Sequence, residues 1–204
     1  MTRPKLTYFD APISRGEECR LTLHLAGVDF EDNRVKPADW PALKPTSPFG
    51  SMPYLELPGK PPLAQSNAIL VYLGRTYGLH PTDTFEAAQH EELMSYGEEL
   101  RGHVSRTLRM PDDEKKRVRE ALVTSYFPAW GENVDKHLTG DGPFVAGSKL
   151  HVVDLKLHMI VRWFITGTVD HIPATVFAGA PKLVRLFEAV RDHAGVKSWY
   201  ARAS

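Results

Sequence analysis

The 204-residue chain predicts two units in series, a small α/β domain followed by an all-α helical bundle. Three observations carry this reading. Strand-like runs flanked by turn residues are confined to the first third of the chain, and beyond it apolar residues recur at helical spacing. Between the two lies Gly78-Leu79-His80-Pro81-Thr82-Asp83, rich in breakers. The expected divisions are 1–79 for the first domain, 80–86 for a linker and 87–204 for the second.

Lys5-Leu6-Thr7-Tyr8-Phe9 reads as a strand closed by Asp10-Ala11-Pro12. A helix is expected from about Arg15 to Ala26, stopped by Gly27. Val28 to Val35 alternates like a half-exposed strand. Pro37 to Pro48 holds four prolines and Trp40, so it is expected to be irregular. A strand over Pro53–Leu57, a turn at Gly59-Lys60, a short strand near Leu63 and a helix over Ser66–Tyr77 complete the unit. The order β-α-β, irregular, β-β-α predicts a thioredoxin-like domain. In the second half, helices are expected over about Phe85–Leu108, Asp112–Leu138 with a kink at Pro128, Val152–Ile165, Lys182–His193 and Val196–Ala203.

Composition excludes several classes. Twenty-five basic residues balance twenty-five acidic ones, which gives no basic surface for nucleic acid or acidic membranes. The single cysteine, Cys19, forms no internal disulfide and fits a reducing compartment. The apolar stretch Val152–Thr168 carries Asp154, Lys156, His158 and Arg162, so a buried helix is expected and not a membrane span. With no secretory signal visible after Met1, a cytoplasmic location is expected. The nine histidines include no His-x-x-x-His pair. His151 and His158 share a helix face without an accompanying acid or cysteine cluster, so no metal site is expected.

The stretch Phe49–Ser66 organises the first domain. Pro53 opens a strand to whose sheet it cannot donate, leaving the backbone of Met52 free to pair with something else. Gln65-Ser66 stands where a strand gives way to a helix, with Ser66 as the expected N-cap and exposed amides that favour a carboxylate. An unpaired backbone edge near an anion site suggests an acidic, peptide-like ligand.

Five stretches make the chain resemble the cytosolic glutathione transferases, most closely the sigma-type group that includes glutathione-dependent prostaglandin D synthase. They are Leu6-Thr7-Tyr8-Phe9, Leu25-Ala26-Gly27-Val28, Asp39-Trp40-Pro41-Ala42-Leu43-Lys44, Pro48-Phe49-Gly50-Ser51-Met52-Pro53 and Gln65-Ser66-Asn67-Ala68-Ile69. The second half matches mainly in length, helix layout and Asp154, with His151 where the family has a capping Ser or Thr.

The resemblance implies a transferase that conjugates glutathione, its co-substrate, to hydrophobic electrophiles, a detoxification chemistry. It also implies a homodimer. Gln65 and Ser66 would hold the γ-glutamyl carboxylate. Ser51, Met52 and Pro53, with a cis Met-Pro bond, would hold the cysteinyl backbone, and Trp40 and Lys44 the glycyl carboxylate. Arg15 aligns beside the substrate. Glu98, with Glu99 in reserve, aligns with the acid that crosses the dimer interface to a partner's ligand. Phe9, Tyr96, Val104 and Trp163 are expected around the electrophile.

Tyr8 is the expected activator, because a phenol donating to sulfur favours the thiolate. Ser14, just before the first helix, is the alternative activator, since the loop from Asp10 to Gly16 is one residue longer than in sigma-type enzymes. Cys19 lies inside the helix and is expected as a small buried hydrophobe. A glutathione-dependent isomerase or peroxidase, and a non-catalytic glutathione-binding relative, remain alternative outcomes of the same resemblance.

Overall fold

The structure, a computed structural model, describes residues 3–202. Four strands, β1 (Lys5–Phe9), β2 (Glu31–Val35), β3 (Tyr54–Glu56) and β4 (Leu63–Ala64), form one sheet in the order β2-β1-β3-β4. β1 runs parallel to β2 with Tyr8 opposite Arg34, and antiparallel to β3 with Leu6 opposite Leu55; β3 and β4 are antiparallel. The parallel pair needs a crossover, which helix α1 (Ser14–Leu25) supplies. A single helical turn, α2 (Trp40–Leu43), and helix α3 (Ser66–Tyr77) complete a thioredoxin-like domain.

β2 begins three residues later than its alternation predicts. Gly27, at φ 67°, turns the chain out of α1, and the Phe30 ring then stacks on Trp199 near the C-terminus, centroids 6.3 Å apart. Phe30 therefore packs on the second domain before the ladder starts, while Asp29 pairs with Arg3.

Helices α4 (Thr84–Ser105), α5 (Asp112–His137), α6 (Val152–Ile165), α7 (Pro181–Asp192) and α8 (Ala194–Ala201) build the rest. Asp83 Oδ1 accepts the amides of Phe85 and Glu86 at 3.0 and 2.9 Å, so α4 starts inside the segment expected as linker. α5 continues through Pro128 as one helix. The expected end of the last helix, Ala203, lies outside the described residues. Phe127, Trp130, Phe164 and Phe177 form the aromatic heart of the helical domain, with Phe127 and Phe164 edge-on at 4.9 Å. No helix among the described residues is long and apolar enough to cross a membrane.

α1 is the hinge piece of the architecture. It packs on β1, α3, α6 and α8, and every residue from Gly16 to Leu23 is buried. Glu17, Glu18 and Arg20 are buried with it, so each needs a partner. Arg20 donates to Asp32 at 2.8 Å and to the carbonyls of Phe9 and Ala11 at 3.0 Å. Glu17 accepts from the Trp199 indole at 2.7 Å. Cys19 is fully buried, and burial pushes its thiol well above the ordinary range, so it is inert packing.

Candidate active site

The end of β1 brings the two candidate activators together. Tyr8 is buried, and the Ser14 hydroxyl lies near enough to its phenol to favour the ionised form. Ser14 opens α1 with φ 58°, a left-handed conformation uncommon for a residue with a side chain. Two features hold Tyr8. A Cβ on Gly16 would lie 2.0 Å from Tyr8 Cδ1, so only glycine admits the ring; the Arg20 guanidinium stands 5.9 Å from the ring centre. Burial raises the phenol's pKa, with the Ser14 hydroxyl and the Arg15 charge pulling the other way. Tyr8 therefore stays protonated at neutral pH and can donate.

The stretches expected to bind lie in the same domain. The Met52-Pro53 bond is cis, and Pro53 is buried just before β3. Trp40 meets Phe9 edge-on at 6.0 Å, which sets α2 beside the end of β1. Lys44 follows on the next turn, its side chain exposed and its stem near Gly50. Gln65 occupies φ 70°, ψ 116°, and Ser66 is the first residue of α3.

One expectation is corrected here: Ser66 is not the N-cap. Gln65 takes that position, and no side chain caps the helix, because the Ser66 hydroxyl turns inward to Lys156 Nζ at 3.4 Å. The first amides of α3 are left without a capping side chain, the condition for receiving an anion.

Glu98 differs too. Its carboxylate faces its own chain, accepting from Arg15 Nε and Nη2 at 2.9 and 2.7 Å, from Arg101 at 3.0 Å and from Lys156. Burial on its own would raise its pKa, yet the charges of Lys156, Arg101 and Arg15 hold it down to about 2. Arg101 and Lys156 also pair with Glu18, making one buried cluster of α1, α4 and α6. A carboxylate so committed is not the one that reaches outward. Glu99, about 100° further round the helix, is exposed.

A cavity of about 130 Å³ opens beside Ser14, lined by Ile13, Met159, Arg162, Trp163, Thr166 and Thr168 as well. Trp163 thus joins Ser14. Tyr96 and Val104 do not line it. Tyr96 stacks on Trp130 of α5 at 5.7 Å, and Val104 is fully buried in the core, because that face of α4 packs against the other helices. Ile13, Met159 and Arg162 were missed. The spacing of 159, 162, 163 and 166 along α6 is the helical signal that groups them.

The histidines separate. His158 stacks on Phe187 with its Nδ1 3.0 Å from the Phe187 carbonyl, whereas His151 packs against His90, which stacks on His80. Asp112, Asp170 and His171 come together on the surface, but Lys115 and Arg119 already pair with these aspartates.

The family described as "Glutathione S-transferase, N-terminal domain" matches residues 4–75, and "Glutathione S-transferase, C-terminal domain" matches residues 98–203. Glutathione S-transferase 1 of Ascaris suum is 34% identical over 98% of this chain and 97% of its own length. Among solved structures, a prostaglandin synthase D of Nilaparvata lugens superposes with TM-score 0.87 at 28% identity, covering 99% of this chain and 98% of that one. A Necator americanus transferase described as monomeric superposes with TM-score 0.81, also at 28% identity, over 100% and 98%. Two family domains in order and a full-length relative lead to one conclusion: this chain belongs to the glutathione S-transferase family.

Proposed function

We propose that the Tyr8–Ser14 pair activates the thiol of glutathione for attack on a hydrophobic electrophile held beside Trp163. The observation that carries this is the placement of the Ser14 hydroxyl beside the buried Tyr8 phenol, with Ser14 also lining the cavity that holds Trp163. Ser14 donates to the Tyr8 oxygen, and the Tyr8 O–H donates to sulfur. A free thiol has a pKa near 8.5, and lowering it by about two units corresponds to roughly 2.7 kcal/mol. The thiol proton leaves to solvent, sulfur forms a bond to the electrophilic carbon, and the leaving group departs with its electron pair.

Gln65, Ser66 and the amides of α3 take the γ-glutamyl carboxylate in this reading. Ser51, Met52 and Pro53 take the cysteinyl backbone, Trp40 and Lys44 the glycyl carboxylate, and Arg15 lies beside the bound tripeptide. Ile13, Met159 and Trp163 contact the electrophile, with Phe9 at the far edge. The test is a steady-state pH profile with a chloronitroaromatic for wild type and Tyr8→Phe. Absence of a glutathione-dependent rate with chloronitroaromatics, isothiocyanates and hydroperoxides alike would overturn the reading. The prostaglandin synthase neighbour favours isomerisation as a second outcome, because one thiolate serves both reactions.

We also propose a homodimer in which Glu99 of the partner subunit meets the ammonium of the bound glutathione. Its support is the outward face of Glu99, the 83% exposed Phe49 ring and a groove of about 490 Å³ between α3 and α4. Sedimentation decides it, and a monomer at micromolar concentration sinks it; the Necator relative makes that a real outcome. The domain division falls at the Gly78–Asp83 breakers in this reading. A cytosolic location accords with the single buried Cys19, and cell fractionation tests it.

A further inference from the structure

Lys156 is the one lysine among the fully buried side chains of α6, a helix otherwise lined with Val152, Leu155, Met159 and Ile160. An amine so far from water is costly and is a poor source of stability compared with a well-packed apolar residue. Its contacts point to another use. Nζ lies 3.4 Å from Ser66 Oγ, 3.3 Å from Glu18 Oε2, and against Glu98. The cluster holds three cations, Arg15, Arg101 and Lys156, against two carboxylates, Glu18 and Glu98, which leaves one positive charge unmatched. Lys156 sits directly behind Ser66, at the end of α3 where the helix dipole is positive and no side chain caps the amides.

An ammonium has donors and no acceptor, so it can only donate to the Ser66 oxygen. The serine proton is then free to point away from Lys156, toward the opening of the site.

We infer that Lys156 is a positioning residue for glutathione, holding the Ser66 hydroxyl as a donor to the γ-glutamyl carboxylate and supplying the buried charge which that carboxylate neutralises. The inference rests on the assignment of Ser66 to the γ-glutamyl end proposed above. Lys156 does not touch the ligand itself; its effect passes through Ser66.

The test compares two ligands by titration calorimetry: glutathione, and the analogue in which 4-aminobutyryl replaces γ-glutamyl and so removes one carboxylate. In Lys156→Met the Kd for glutathione rises about 10- to 100-fold, the range for losing a charge-assisted hydrogen bond. The Kd for the analogue stays within about twofold of wild type, and the KM for glutathione rises by the same factor as its Kd. Ser66→Ala shows the same selectivity, and the double variant loses no more than either single one.

If Lys156→Met does not fold, Glu18→Gln/Lys156→Met takes its place; it removes one buried charge of each sign and keeps the net charge of the cluster, so a selective loss smaller than in Lys156→Met, from the Ser66 contact alone, is expected. Equal weakening of both ligands, or wild-type affinity for glutathione, overturns the inference. Failure of the wild-type enzyme to bind glutathione at all is a separate result, and it overturns the Ser66 assignment first.

Discussion

The Ser14 hydroxyl stands beside the Tyr8 phenol across the turn between β1 and α1 and favours its ionised form. Two side chains that read from the sequence as rival activators therefore form one unit. In the proposed mechanism Tyr8→Phe removes the donor to sulfur, whereas Ser14→Ala removes only the group that polarises it. The acid limb of the kcat/KM profile is expected to move up by about two pH units in Tyr8→Phe and by about one unit or less in Ser14→Ala. A larger shift in Ser14→Ala than in Tyr8→Phe would make Ser14 the direct donor.

Gly16 is required by the Tyr8 ring. A methyl group there meets Cδ1 at 2.0 Å and Cγ at 2.1 Å, and a ring cannot yield as a flexible chain end does. Gly16→Ala is expected to cost about 1–3 kcal/mol in a denaturant melt and to reduce kcat together with it. Unchanged stability and turnover would show that the ring has room to move.

Glu98 and Glu99 should separate cleanly. Glu98→Gln leaves Arg101 and Lys156 short of a carboxylate in a buried cluster, so a loss on the order of 2 kcal/mol or more is expected in the denaturant midpoint. Glu99→Gln, on the exposed face, should stay within about 0.5 kcal/mol and, in the proposed homodimer, raise the KM for glutathione by removing the contact to its ammonium. The reverse order of stability losses would contradict the inward orientation of Glu98.

Acidification should loosen the junction where the linker, α4 and the start of α6 meet. His90 and His151 are pushed down to about 4 by burial, then by His151 and His80 for the former and by Lys149 and His80 for the latter. Burial likewise pushes His158 down to about 4, despite the Phe187 carbonyl. Unfolded histidine titrates near 6.5, so between about pH 6.5 and about pH 4 the unfolded chain binds more protons. Stability is complete above that window and is lost as pH falls through it.

Asp154 opposes this trend. Burial raises its carboxyl to about 7, against hydrogen bonds from the amides of Val145 and His151. Three histidines outweigh one aspartate, and the Tm is expected to fall by several degrees from about pH 7 to about pH 5. In His151→Thr the fall should be smaller, since one titrating ring is replaced by an ordinary helix cap. A Tm independent of pH across this range would contradict the buried, neutral state of these rings.

Local chemistry explains what was legible. Strand β1, the cis-proline stretch, helix α3 and the bounds of α6 follow from periodicity, proline and glycine, which act over a few residues. The residues proposed for the ligand in the first domain lie on five contiguous stretches, which is why a sequence can display them together. What was missed depends on which face of a helix meets which neighbour. The readings of Glu98 as an outward acid and of Ser66 as a cap each mistook an orientation.

The sequence by itself determined the family and the thioredoxin-like and helical halves, because contiguous motifs and helical spacing encode them. Only the tertiary structure decided that Ser14 stands beside Tyr8, that Glu98 turns inward while Glu99 faces out, and that Lys156 stands behind Ser66 from 90 residues away. A single residue step turns a helical side chain by about 100°, and charges buried between domains are chosen by partners distant in sequence.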